Sequence, residues 1–202
     1  THAEPVDGPF AQALTEAAGG ATAIAGMFEE SDDPARPFNT LLVAGQASGT
    51  YRKIHLYDSF GHRESDVLSA GPLEPVVVEI AGWQVGLMTC YDLRFPELAR
   101  LLVDAGAEVI VVPAAWVAGE RKVDHWRTLL AARAIENLAY VAAVGQPGPR
   151  YCGHSMVVSP LGDVLVEADG EGDAVLDAVL DRATLADARR LNPSLDNRRL
   201  GS

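Results

Sequence analysis

The sequence predicts an α/β protein with a mixed sheet system, a sandwich more than a purely parallel doubly wound sheet. Three observations carry this. Apolar runs of strand length recur along the chain, set apart by stretches with helical periodicity. Two pairs of runs meet at tight turns, Ala81-Gly82 and Pro160-Leu-Gly-Asp163, and so read as hairpins. Other runs are separated by a whole helix, as in crossover connections. With 202 residues, 48% of them hydrophobic, the chain is long enough for one compact domain, residues 1–202, with a substantial core.

Pro9 to Ala18 reads as a helix with Phe10, Leu14 and Ala17-Ala18 on one face, and Gly19-Gly20 ends it. Thr22 to Phe28 is a buried strand, Glu29 to Pro37 a polar surface turn, and Asn39 to Gly45 a second strand. After a short turn at Gln46 to Gly49, Tyr51 to Leu56 is a third strand, followed by a loop from Tyr57 to Gly71. Glu74 to Ile80 and Trp83 to Thr89 pair as a hairpin. Phe95 to Asp104 is helical, with Pro96 suited to its first turn, and Glu108 to Val112 is a buried strand. Val123 to Asn137 is the longest helix, with Trp126, Leu129-Leu130, Arg133-Ala134 and Asn137 at helical spacing. Tyr140 to Gly145, His154 to Ser159, Val164 to Ala168 and Asp173 to Leu180 are strands; Asp181 caps a last helix that runs to Leu191. The tail from Asn192 is irregular and is expected to pack on a neighbouring molecule.

Net charge is −12, which argues against nucleic acid or an anionic membrane surface as the main partner. The longest apolar run, Glu108 to Ala118, is too short to span a bilayer and is broken by Pro113. Two cysteines make no disulfide framework, so a reducing, cytoplasmic setting is the expectation. No phosphate-binding glycine loop, metal-ligand cluster or basic stripe is visible, so neither a cofactor nor a metal is expected.

In Trp83-Gln-Val-Gly-Leu-Met-Thr-Cys-Tyr-Asp-Leu-Arg-Phe-Pro-Glu97, an apolar strand runs directly into Cys90, and a helix started by Pro96 follows within a few residues. A sharp strand-to-helix turn presents a side chain near free backbone N–H groups and a positive helix end. Asp92 and Arg94 would be costly beside a purely structural cysteine, so Cys90 is the candidate nucleophile and Tyr91 N–H a candidate oxyanion donor. Cys152, at a loop-to-strand junction, reads as structural. No histidine is singled out as its base. A lysine or a carboxylate is the remaining way to activate the thiol. Tyr51-Arg-Lys-Ile-His-Leu56 offers Lys53 and His55 on one strand face, although the pattern alone leaves open which face meets a cleft.

Read together, these segments resemble the nitrilase superfamily of carbon–nitrogen hydrolases. Tyr51 to Leu56 is similar to its lysine motif and Thr89 to Glu97 to its cysteine motif. Pro113 to Trp116, His125-Trp126, Leu130 to Asn137, Tyr140 to Gln146, Gly153 to Met156 and Pro160 to Gly162 follow in the family's order. The wording is closest to the branch that holds ω-amidases and deaminated-glutathione amidases. The resemblance implies an αββα sandwich that dimerises, and hydrolysis of a non-peptide C–N bond in a small amide through a cysteine thioester, with water as co-substrate. It makes Cys90 the nucleophile, with Lys53 and Tyr91 N–H stabilising the oxyanion, and Glu64 a brace beside the lysine. Arg94 is expected to brace the turn through a carboxylate, and Trp116 and His55 to line the substrate pocket. The family's general-base glutamate follows a first strand that lies upstream of the Pro9 helix. The chain is therefore expected to be N-terminally incomplete, lacking that strand and that glutamate, with little or no amidase turnover as it stands. A non-catalytic binding relative and an acyltransferase are the competing readings.

Overall fold

The computed structural model describes residues 2–200. Helix α1 (Pro9–Ala18) leads into an antiparallel meander of β1 (Thr22–Glu29), β2 (Phe38–Gly45) and β3 (Gly49–Arg52). A small hairpin of β4 (Asp58–Ser59) and β5 (His62–Arg63) follows within the long loop. The second sheet is built from β6 (Val77–Ile80), β7 (Trp83–Leu87), β8 (Val109–Ala114), β9 (Tyr140–Gly145), β10 (Met156–Val158) and β11 (Val164–Glu167), in the order β11-β10-β9-β8-β7-β6. Its centre, β7-β8-β9, is parallel, with α2 (Pro96–Asp104) and α3 (Lys122–Asn137) as the crossovers; both ends are antiparallel hairpins. Helix α4 (Arg182–Leu191) closes the described fold, and Asp181 caps it by accepting from the Ala183 and Thr184 N–H groups.

The period-two alternation of β2 fixes the layers. Leu41 and Val43 join the large core with Val85, Leu87 and Ile110, whereas Leu42 and Ala44 pack with Met27 against Phe10, Ala11 and Leu14 of α1. On the other sheet, Gly86 faces α2: a Cβ there would meet Leu102 at 3.1 Å and Ala107 at 3.2 Å, so a side chain would push the helix off the sheet. The layers thus run helix, sheet, sheet, helix, the α/β sandwich that the sequence implies.

Four elements differ from expectation. The third strand ends at Arg52 rather than Leu56, because after Lys53 N–H, which still bonds the Asn39 carbonyl of β2 (2.8 Å), the backbone donors turn to side chains: Ile54 N–H goes to the Tyr51 hydroxyl (3.3 Å) and His55 N–H to the Asp92 carboxylate (3.1 Å). Glu29 is a buried end of β1 rather than part of a surface turn, held by Arg52 and the Thr40 hydroxyl (2.8 Å). Asp173 to Leu180 joins no sheet; among the described residues no strand pairs with it, and Val175 and Val179 stand 91% and 89% exposed. The described part of the tail folds back on its own chain, where Arg198 grips Asp104 with two bonds of 2.6 and 3.0 Å.

Candidate active site

The segment after β7 makes its turn at one residue. Thr89 is extended, Cys90 has φ +49°, and residues 90–94 form a short 3-10 helix that runs into α2 at Pro96. A left-handed conformation at a non-glycine residue costs about 1–3 kcal/mol and persists only where the surroundings enforce it. Here the enforcing group is Asp92, which is wholly buried. Its carboxylate accepts from Thr89 N–H (2.9 Å), the Tyr51 hydroxyl (2.6 Å), His55 N–H (3.1 Å) and His55 Nδ1 (2.8 Å). One carboxylate therefore ties the cysteine turn to the segment that carries Lys53. His55 Nδ1 carries the proton in that bond, and its ring stacks on Phe95 at 3.8 Å between centroids. Burial and the Asp92 charge push the Tyr51 hydroxyl far above the usual phenol range, so it stays a donor.

Lys53 is 2% exposed, and its Nζ bonds Glu64 Oε2 at 2.5 Å. The same oxygen accepts from Tyr57 N–H at 2.6 Å. Glu64 opens a one-turn 3-10 helix just after β5, so the β4-β5 hairpin is what brings this acid back to the lysine. The chain leaves Lys53 tightly: its carbonyl accepts from Gly71 N–H (2.9 Å), and a Cβ at Gly71 would lie 2.2 Å from the Arg52 carbonyl oxygen.

The Cys90 thiol feels this cluster. Burial pushes it up to about 11, Glu64 and Asp92 add to the rise, and Lys53 and a hydrogen bond with the Ala115 backbone oppose it. The first N–H groups of the 3-10 helix, those of Cys90 and Tyr91, have no partner within it. A cation, a backbone donor and a thiol thus converge on one turn, the arrangement that can hold a developing oxyanion beside a sulfur nucleophile. Two other carboxylates serve elsewhere: Glu4 caps α1 by accepting from Phe10 N–H (2.7 Å), and Glu29 pairs with Arg52.

Trp116 follows β8 directly, beside Ala115, and its Nε1 donates to the Lys122 carbonyl at 3.0 Å. Arg94 lies 4.8 Å from the Trp116 ring centroid and 3.4 Å from His125 Nδ1. Among the described residues no carboxylate pairs with it, so it does not brace the turn in the way the sequence suggests; its Nε is buried without a partner. Trp126 is core, wholly buried with Nε1 on the His154 carbonyl (2.8 Å). Cys152 is buried, and its N–H donates to the Trp116 carbonyl. Cys90, Lys53, Glu64, Tyr91 and His55 are thus brought together by contact or direct succession, with Trp116 and Arg94 as an adjoining pair. Sequence reasoning missed Asp92 as the organising group. The Thr89-x-x-Asp92 spacing, a capping-box pattern, was the signal available.

The carbon–nitrogen hydrolase model matches residues 1–190. The chain belongs to the carbon–nitrogen hydrolase family. A hydrolase of Mycobacterium tuberculosis is 44% identical over 208 residues, covering 93% of this chain and 73% of the relative. The deaminated glutathione amidase of Escherichia coli O157:H7 is 44% identical over 168 residues, covering 82% of this chain and 64% of the relative. A carbon–nitrogen hydrolase superfamily structure from Xanthomonas campestris superposes with a TM-score of 0.87 at 32% identity, covering 99% of this chain and 78% of the other. As a carbon–nitrogen hydrolase of the amidase type, its class of chemistry is cleavage of an amide C–N bond at an active-site cysteine. No helix among the described residues is long and apolar enough to cross a membrane.

Proposed function

We propose that Cys90 hydrolyses a small linear amide through a thioester, with Lys53, Tyr91 N–H and Glu64 in attendance. Sγ, having lost its proton, bonds the amide carbon, and the carbonyl electrons move to oxygen. Lys53 Nζ and Tyr91 N–H hold that oxyanion, and Glu64 keeps the ammonium aimed. The C–N bond then breaks as the nitrogen takes up, through solvent, the proton that the thiol gave up, and leaves as ammonia or an amine. Water attacks the thioester, releasing the carboxylic acid and restoring the thiol. The observation that carries this reading is the left-handed Cys90 beside the buried Lys53–Glu64 pair. The deaminated-glutathione amidase relative supports the substrate class.

Both carboxylates that act on Cys90 are engaged: Asp92 accepts four bonds, and Glu64 accepts from Lys53 and Tyr57. Among the described residues neither is free to shuttle a proton, so slow amide turnover by the 202-residue chain is the expected outcome. An activated ester bypasses the need to protonate the leaving group. Incubation with p-nitrophenyl butyrate and peptide mass spectrometry should place the butyryl group on Cys90 and not on Cys152. Equal labelling of the two, or none, refutes the nucleophile; rapid hydrolysis of butyramide refutes the slow-turnover expectation. The proposal extends to a homodimer in a reducing, cytoplasmic setting. It is supported by two free cysteines and by the exposed Val144, Val175 and Val179, and is tested by sedimentation equilibrium.

A further inference from the structure

The stretch Leu130-Ala-Ala-Arg-Ala-Ile-Glu-Asn137 of α3 has no part in the chemistry above, yet it buries a guanidinium. Among the described residues Lys53 and Arg133 are the two buried basic side chains, and Arg133 is 4% exposed. A buried cation is tolerated only where protein groups replace its water. Arg133 Nη1 donates to Glu136 Oε1 at 2.8 Å, a contact within the same helix. Its other two donors leave α3. Nε and Nη2 both reach the Leu93 carbonyl, at 3.1 and 2.8 Å. Leu93 lies in the 3-10 helix of residues 90–94, one turn beyond Cys90. The 3-10 pattern would satisfy its carbonyl from residue 96, but Pro96 has no N–H to give. Arg133 supplies the donors that the proline lacks.

The nucleophile turn is therefore pinned at both ends. Asp92 holds its front at Thr89 N–H, and Arg133 holds its back at the Leu93 carbonyl. Between the two anchors lie Cys90, with its left-handed backbone, and the Tyr91 N–H. The rear anchor is itself fixed, because Arg100 of α2 gives Nη2 to the Glu136 carbonyl at 2.6 Å. Core packing alone does not account for Arg133: a hydrocarbon side chain of similar volume would fill the same space without desolvating a charge. What a guanidinium adds is direction. Its planar fork sets the line along which the carbonyl points as well as its distance, and a single point charge does not. In a helix of one or two turns, the direction of one peptide plane constrains those of its neighbours.

We infer that Arg133 is a positioning residue: through the Leu93 carbonyl it sets where the Tyr91 N–H points relative to Cys90 Sγ, without touching the substrate. This rests on the nucleophile reading above. The test compares two reactions of Cys90 at one pH. Acylation by p-nitrophenyl butyrate forms the S–C bond through an oxyanion and releases p-nitrophenolate, so it needs aimed donors. Alkylation by iodoacetamide displaces iodide and builds no oxyanion. Both need the thiolate, so the ratio of the two rates cancels any change in thiolate fraction. Arg133→Lys keeps the charge but cannot place two N–H groups on Leu93 and a third on Glu136. Its acylation rate should fall roughly tenfold or more, with alkylation within about twofold of wild type, because a small misplacement of a reacting group is amplified in the rate. Glu136→Gln removes the counter-charge, leaves both Leu93 bonds in place, and should keep the wild-type ratio. A wild-type ratio in Arg133→Lys, an Arg133→Lys chain that does not fold, or an equal fall in Glu136→Gln makes Arg133 structural only, and the nucleophile reading stands. If Cys90 of the wild type is not acylated, the nucleophile reading fails, and this inference with it.

Discussion

Lys53 and Lys122 carry the same ammonium on the same flexible stem, yet the fold treats them in opposite ways. Lys53 is buried and ion-paired to Glu64, one residue beyond the end of β3. Lys122 is half-buried, ringed by aromatic faces and unpaired with any described carboxylate. The difference teaches how one side chain serves two ends. A buried cation needs its counter-charge for the fold to tolerate it at all, so its charge is committed to a fixed geometry. A cation walled by rings and open to water needs none, so its charge stays available.

The contrast can be broken most sharply at Lys53. Lys53→Met leaves the Glu64 carboxylate buried without its cation and should cost about 3–5 kcal/mol in urea unfolding. Asp92→Asn comes next. The amide offers N–H groups where four donors already converge, and a loss of about 2–3 kcal/mol is expected from the same titration. Removing one of those donors sets the scale: Tyr51→Phe should cost about 1–2 kcal/mol, and a value near zero would mean that the Tyr51–Asp92 bond does not organise the turn. Lys122→Gln loses only half-exposed contacts with aromatic rings, and should lie within about 1 kcal/mol of wild type.

The two cysteines sharpen the comparison through pH. The folded Cys90 pKa is raised, so its neutral thiol is favoured, and the reactive thiolate grows as pH climbs. Its alkylation rate should therefore rise roughly tenfold per pH unit in the alkaline range, with the inflection near about 11. Lys53 is the cation that lowers the Cys90 value, whereas Lys122 acts on Cys152, whose thiol burial also raises. Lys53→Met should move the Cys90 inflection upward and Lys122→Gln should leave it in place. A shift of the Cys90 profile in Lys122→Gln would dissolve the separation of the two lysines.

What the sequence by itself determined is local and periodic. The apolar runs in Thr22 to Phe28 and Asn39 to Gly45, the Pro96 start of α2, the Asp181 cap of α4 and the apolar run ending at Cys90 all became the elements they encode, because backbone geometry and local sequence decide them. The cysteine and lysine motifs were legible for the same reason: each is a short contiguous string. The tertiary structure alone decided what depends on distant partners. It ended β3 early by drawing Ile54 and His55 N–H to Tyr51 and Asp92, and it denied Asp173 to Leu180 a paired neighbour among the described residues. It also took Arg94 to the Trp116 ring instead of to an acid. A hydrogen bond between residues forty positions apart leaves no periodic trace in a chain, which is why Asp92, the group that joins the Cys90 turn to the Lys53 segment, became visible only in three dimensions.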